Sequence, residues 1–312
     1  MLRLESVPNV SEGRDTRLVT AIAAAFASAG ARVLDTHVDP HHHRAVITLV
    51  GDDRELEDGL VAGIDEACRR IDLRRHDGVH PRVGAADVVP VVPLTPDALP
   101  GAEAVGREVG RRVAEELGLP VFFYGSLGDG RRPAYFRRGG PEELQRRIDA
   151  GELAPACGPT RLDPRSGAVL VGVRPPLIAF NLELAGPLEV AQEVAAAVRE
   201  SSGGLPGVQA LGLQLAQGVV QVSTNVIDLS ATPLHVVVER IAREAAARGT
   251  RVGGGELVGL VPAASVAQAA AGVPDPLDER GVPTATALDA AARALRLERL
   301  GRERVLEWHL AG

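Results

Sequence analysis

Six segments whose spacing reads as strand or helix recur twice along this chain in one order, and no single motif constrains the fold as much. In the first half, Leu2–Val7 alternates apolar and polar residues and reads as a strand. Thr16–Ala29 has helical apolar spacing, with Asp15 as its N-cap and Gly30 as its stop. Ala31–His37 and Arg44–Val50 are strands joined by the DPHHH loop. Arg54–Ile71 is a second helix, and the valine-rich Asp87–Leu94 is a further strand. This order, β-α-β-β-α-β, is the split βαβ pattern of ferredoxin-like folds. A helix over Pro100–Leu117 and a short strand at Val121–Phe123 follow.

The second half repeats the order. Leu177–Leu184 is strand-like and Leu188–Arg199 helical, Val208–Leu215 and Val219–Ile227 are strands, Leu234–Arg248 is a helix, and Arg251–Val252 begins a short extended return. The expected fold class is therefore α/β in the α+β sense, with subdomains at 1–174 and 175–312 parted at the rigid Arg174-Pro175-Pro176. Gly125–Arg165 is rich in Gly, Pro and Arg and reads mostly as loop, with a short helix near Glu142–Asp149. Thr284–Arg302 reads as a helix packed on the second lobe or on a partner chain.

Composition narrows the function classes. The chain has 312 residues, enough for two ordinary domains, and 45% hydrophobic residues argue against wholesale disorder. Aromatics make up only 3%, so the cores must be built from Val, Leu, Ile and Ala. A net charge of −7 argues against a nucleic-acid surface but leaves room for a local arginine cluster that meets an anion. Cys68 and Cys157 are too few and too isolated for a disulfide framework or a CxxC site. The start of the chain lacks a signal-peptide pattern, and no run of ~18 apolar residues suggests a membrane span, so a cytoplasmic location is expected.

The residues that carry chemistry concentrate in loops. His76 and His80 lie in the glycine- and proline-broken turn HDGVHPR, directly before the valine strand, a place where α/β proteins put functional groups. Their spacing could ligate a metal from a helix, but Gly78 and Pro81 oppose a regular helix and no HExxH is present. His41-His42-His43 forms a second cluster, and at least two of these three are expected to be solvated. A histidine acid/base is the alternative, because imidazole takes and gives protons near neutrality. His80, between Gly78 and Pro81, is the better candidate, with Arg82 either holding an anionic substrate or capping a carbonyl. Pro8–Gly13 offers Asn9, Ser11 and Glu12, or only a capped helix entry. Gly158–Gly167 carries glycines for close backbone approach and arginines for carboxylates, or serves only as a linker. Neither a P-loop nor a GxSxG elbow occurs.

VPNVSEG, DPHHHRAVITLVG, IDLRRHDGVHPRVGAADVVPVVPL, GPTRLDPRSGAVLVGVR, LIAFNLEL, QVSTNVIDLSATPLHVV and ELVGLVP run in order across nearly the whole chain. Together they make the chain resemble the glutamate formimidoyltransferase (formiminotransferase) family. The resemblance implies two α/β subdomains whose sheets face each other across a tunnel. It also implies transfer of a formimino group from N-formimidoyl-L-glutamate to tetrahydrofolate, the co-substrate, a late step of histidine breakdown. His80 falls on the family's catalytic histidine, and the folate-contacting segment falls on Gly158-Pro159-Thr160-Arg161-Leu162-Asp163-Pro164-Arg165-Ser166-Gly167. Arg82, with Arg44 or Arg161, is expected to hold substrate carboxylates, and Asn9 and Asp39 to line the same site. No metal, nucleic acid or membrane partner is expected. A homodimer is, and the cyclodeaminase activity fused to the animal members is expected to be absent. Three departures stand out. His43 stands where asparagine is expected, Arg161 and Asp163 are charged in a segment that tends to be apolar, and Pro175-Pro176 stiffens the link. These could mark a shifted substrate, such as a formyl donor. The rival readings are a metal-assisted amidohydrolase and a folate-binding module without turnover.

Overall fold

The first strand-like stretch folds as two short pieces, β1 (Leu4–Ser6) and β2 (Asn9–Val10). Pro8 lies between them and has no amide hydrogen to give a ladder. A computed structural model describes residues 4–78, 80–215 and 218–311 and parts the chain into two units, Met1–Pro176 and Leu177–Gly312. Leu2 and Arg3 of the expected first strand and Val79 of the HDGVHPR turn lie outside the described residues.

In the first unit, β3 (Arg32–Asp39) and β4 (Arg44–Gly51) form an antiparallel hairpin. β1 and β2 both sit between β4 and β5 (Ala86–Pro93). The sheet continues with two parallel strands, β6 (Val121–Gly125) and β7 (Val169–Val173), of which β7 pairs with β5. With neighbours on both edges and apolar groups on both faces, β5 is buried along nearly its whole length, as its continuous valine run requires. The helices α1 (Thr16–Phe26), α2 (Asp53–Arg70) and α3 (Leu99–Leu117) cover one face. α1 begins at Asp15, whose carboxylate accepts from Arg17 N and Leu18 N; α2 begins at a capping box of Asp52 and Glu55. The Phe26 ring of α1 lies on Gly63 of α2, where an added Cβ would come within 2.1 Å of it. On the other face, α4 (Pro133–Arg137) and α5 (Gly140–Asp149) close a smaller core of Val88, Phe122, Tyr124, Phe136, Leu144 and Leu170.

The second unit has the strand and helix order read from the sequence: β8 (Ile178–Leu184), α6 (Leu188–Val198), β9 (Val208–Gln214), β10 (Val220–Val226), α7 (Leu234–Ala247) and β11 (Val252–Val258). The antiparallel sheet runs β11-β8-β10-β9. β11 is a full strand rather than a short return. Its Gly255 is required because a Cβ there would meet Leu295 O at 2.4 Å and the Phe180 ring at 2.6 Å. α8 (Ala263–Ala269), α9 (Ala285–Ala294) and α10 (Leu306–Leu310) complete the unit. α9 is shorter than the expected 284–302 helix because Arg296 takes a left-handed conformation, φ 57°. Its Ala287, Leu288 and Ala291 belong to the second unit's own core.

Candidate active site

The β3–β4 hairpin brings Asp39, the three histidines and Arg44 to one end of the first sheet. Asp39 organises the turn. Its Oδ1 accepts the backbone N–H of His41 at 2.8 Å and of His42 at 2.9 Å, and its Oδ2 takes His42 Nδ1. Burial opposes the Asp39 charge, but these hydrogen bonds outweigh it and hold the carboxyl at about 2. His42 is thereby fixed with its ring edge-on to His80, centroids 5.9 Å apart.

The next residue, His43, has φ 51°, a left-handed conformation that asparagine and histidine tolerate better than most residues. This gives a backbone reason for asparagine at that position, and histidine meets the same demand. Its Nε2 pairs with Glu12 Oε1 at 3.0 Å. The same Glu12 oxygen accepts the N–H groups of Gly13, Arg14 and Asp15, so Pro8–Gly13 is both a helix entry and a brace for the hairpin. Gly13 makes that contact possible. A Cβ there would lie 2.1 Å from Asp39 O and 2.4 Å from Arg44 N. The expectation that at least two of the three loop histidines are solvated fails, since the side chains of His42 and His43 are only 8% and 12% exposed.

His76 stacks on His43 at 4.1 Å, donates from Nε2 to His43 O at 2.8 Å, and accepts Gly78 N–H at Nδ1, 3.1 Å away. Both ring nitrogens are used, which fixes one neutral tautomer. Burial pushes its pKa down to about 4. As placed, His76 has no lone pair to offer a metal or a proton.

His80 is held differently. The Nη1 of Arg44 lies against its imidazole, 2.8 Å from Nδ1 and closer still to Nε2. Burial comes first among the causes that hold its pKa well below the ordinary histidine value, followed by the charges of Arg44 and Arg137. His80 is therefore a neutral imidazole facing guanidinium donors. Arg82 does not reach outward as a clamp: its Nη2 donates to Gly78 O and to His80 O, the latter at 2.8 Å, so it caps the turn that carries His80. Of the two expected tasks of Arg82, the carbonyl cap is the one its Nη2 performs here.

Asp87 and Arg137 complete the cluster, and the sequence reading missed both. Asp87, 2% exposed, accepts Val83 N–H at 2.8 Å on Oδ1 and Arg137 Nη2 on Oδ2. Arg137 comes from α4, a helix of one turn, too short for periodicity to reveal. The Nε atoms of Arg44 and Arg137 are buried without a hydrogen-bond partner, each a cost of about 1–3 kcal/mol. Burial, then the charge of Arg137, brings Arg44 down to about 9.

The remaining expected site residues fall at varied distances from this centre. Asn9 pairs across from Val46 on β4, and its side chain donates to Val7 O at 2.7 Å. Gly158–Gly167 begins against Leu119, where Gly158 takes φ 86°, and runs past α5, where Gln145 bonds Leu162 N and Thr160 O. It ends as a tight turn, Gly167 N to Asp163 O at 2.7 Å, pinned by Ala85 N to Ser166 O and Ala168 N to Val83 O. Its C-terminal end thus adjoins the residues that follow Arg82, while Arg161 and Asp163 are exposed. Arg165 is tied to Arg69 O and Asp163 rather than left open. Among the described residues no helix is long and apolar enough to cross a membrane.

A buried histidine held among arginines in the first of two α/β units puts this chain in a class of two-unit α/β proteins with a histidine–arginine cluster. Comparison with known proteins narrows the class. The formiminotransferase domain, N-terminal subdomain, matches residues 3–174, and the formiminotransferase domain matches residues 179–273. Glutamate formimidoyltransferase of Thermoplasma acidophilum is 38% identical over 272 residues, covering 84% of this chain and 89% of that protein. The protein of the same name from Streptococcus pyogenes serotype M1 is 33% identical, covering 83% and 89%. Formimidoyltransferase-cyclodeaminase of Sus scrofa is 38% identical over 86% of this chain, which spans 52% of that longer protein. The chain belongs to the formiminotransferase family.

Proposed function

We propose that the chain transfers the formimidoyl group of N-formimidoyl-L-glutamate to N5 of tetrahydrofolate, giving 5-formimidoyltetrahydrofolate and L-glutamate. The observation that carries this reading is the neutral His80 held against Arg44, with the charge of Arg137 nearby, in a chain whose relatives bear the name glutamate formimidoyltransferase over most of its length.

The acceptor nitrogen adds to the formimidoyl carbon and forms a C–N bond, giving a tetrahedral adduct with a positively charged, acidic nitrogen. His80 takes that proton. A weakly basic imidazole suffices, because the proton comes from an ammonium-like centre. The resulting imidazolium is a strong acid in this setting and returns the proton to the glutamate nitrogen as the C–N bond to glutamate breaks. One residue thus serves two steps, and no net proton is gained or lost. Alignment of the two reactants supplies a further part of the acceleration. In this reading Gly158–Gly167 contacts the folate; its Leu162 and tight Asp163–Gly167 turn form a firm ledge beside the His80 loop. The assembly proposed on the family resemblance is a homodimer in the cytoplasm, the former testable by sedimentation.

Purified protein is incubated with tetrahydrofolate and formimidoylglutamate or formylglutamate, and the cyclised methenyl product is read after acid treatment. Product from the formimidoyl donor supports the reading; product from the formyl donor alone replaces it with formyl transfer. His80→Ala should lower turnover by about 10²–10⁴-fold while the protein stays folded. Wild-type turnover in that variant sinks the assignment of His80.

A further inference from the structure

Each of two arginines in the cluster is half engaged. Arg44 uses Nη1 on His80, and Arg137 uses Nη2 on Asp87. The second terminal nitrogen of each makes no hydrogen bond to any described residue. Neither residue is sealed off: Arg44 is partly exposed, and the Arg137 side chain is 12% exposed. Two like charges therefore lie close enough to act on each other and on the imidazole, with one terminal nitrogen apiece left without a described partner.

The nearby carboxylates do not satisfy them. Asp39 is occupied by His42 and by two backbone N–H groups. Asp87 divides its oxygens between Val83 N and Arg137. Glu12 is committed to His43 and the start of α1. Arg82 gives one terminal nitrogen, Nη2, to two loop carbonyls. What remains is unmet positive charge and unmet N–H donors of the planar kind that suit a carboxylate.

We propose that Arg137, held by Asp87, and Arg44 together bind a carboxylate of the donor substrate, so that Arg137 is a substrate-binding residue and Asp87 its positioning residue. This deepens the transferase reading and rests on it. The ligand class is a small dicarboxylate such as glutamate, with one carboxylate between the two guanidiniums. Because Arg44 also touches His80, the arriving carboxylate would draw the Arg44 N–H away from the imidazole. The base would thus be freed more fully with the charged donor in place, and the diamide should turn over more slowly than that donor.

The test compares two donors, formimidoylglutamate and its neutral diamide, in the wild type, Arg137→Gln, Arg137→Lys and Asp87→Asn, with folding followed by circular dichroism. Arg137→Gln should raise KM for the charged donor about 10- to 100-fold and change kcat by less than about 3-fold. KM for the diamide should not move. Arg137→Lys keeps the charge and the ion pair with Asp87, and should recover part of the affinity. Asp87→Asn should raise KM in the same donor-specific way. Unchanged KM for the charged donor in Arg137→Gln, or an equal rise for the diamide, overturns the proposal. Should Arg137→Gln not fold, Arg137→Lys decides: wild-type KM in it does the same. A wild type inactive with every donor would instead fail the transferase reading. Calorimetric binding of glutarate to the wild type and its loss in Arg137→Lys would then still support a carboxylate site, and equal binding would refute it.

Discussion

A histidine that works as a base is useful only above its own pKa. Burial, with Arg44 and Arg137 beside it, lowers that of His80, so the neutral form persists below the ordinary value of about 6.5. The acid limb of kcat/KM should therefore lie below pH ~6.5, and a profile from pH 5 to 8 reads it directly. In Arg44→Gln, with one neighbouring charge removed, the limb should shift upward; a limb unmoved by that change would mean another group controls the profile. His76 makes a stability prediction of the same sign. Its folded-state pKa of about 4 is below the unfolded one, so the unfolded chain binds more protons between those values. Its contribution is fully present above pH ~6.5 and is lost as pH falls toward 4. Thermal melts at pH 7, 6 and 5 should show declining midpoints, and His76→Gln should flatten the decline.

At the scale of elements, the hairpin of β3 and β4 carries half of the cluster, and its position depends on a glycine that lies outside it. Gly13→Ala would place a methyl group against Asp39 O and Arg44 N, both backbone atoms that cannot swing aside. A loss of about 1–3 kcal/mol is expected in urea denaturation, with activity falling further than stability because Arg44 shifts. An unchanged denaturation midpoint would show that the loop yields freely. The same elements show where sequence patterning sufficed. Long periodic segments such as 54–71 and 234–248 emerge almost as read, because a buried face repeats over several turns. α4 has a single turn and leaves no period, so Arg137 was invisible even though its basic type was plain. β11 contains three consecutive glycines, which weaken any strand signal; the close approach that requires Gly255 is set by Leu295 and Phe180, distant in sequence. His80 was legible because its turn is distinctive, whereas the tasks of Arg82 and Asp87 depend on which carbonyl or guanidinium the fold brings near.

Across the whole chain, charge and burial are distributed differently from their averages. The net charge is −7, yet Arg44, Arg82 and Arg137 gather about one histidine, so composition alone gives the wrong sign for the site. Scarce aromatics are compensated by a large, mostly aliphatic core in each unit, and three of the few aromatic residues gather in the smaller core of the first unit. Every residue of the cluster, from Glu12 to Arg137, lies in the first unit, and that unit's sheet closes its hydrogen bonding with strands from residues 4–173. A fragment of residues 1–176 is long enough to bury a core of its own, and 177–312 holds a complete four-stranded sheet with helices on its apolar face. Each fragment, expressed alone, should give a sigmoidal urea transition and native-like circular dichroism. The first should also retain the acid-side loss of stability that His76 imposes, since His43 and Gly78, which fix that ring, are in the same unit. A first fragment that unfolds without cooperativity, or one whose midpoint is flat between pH 7 and 5, would show that its core or its histidine network depends on the rest of the chain.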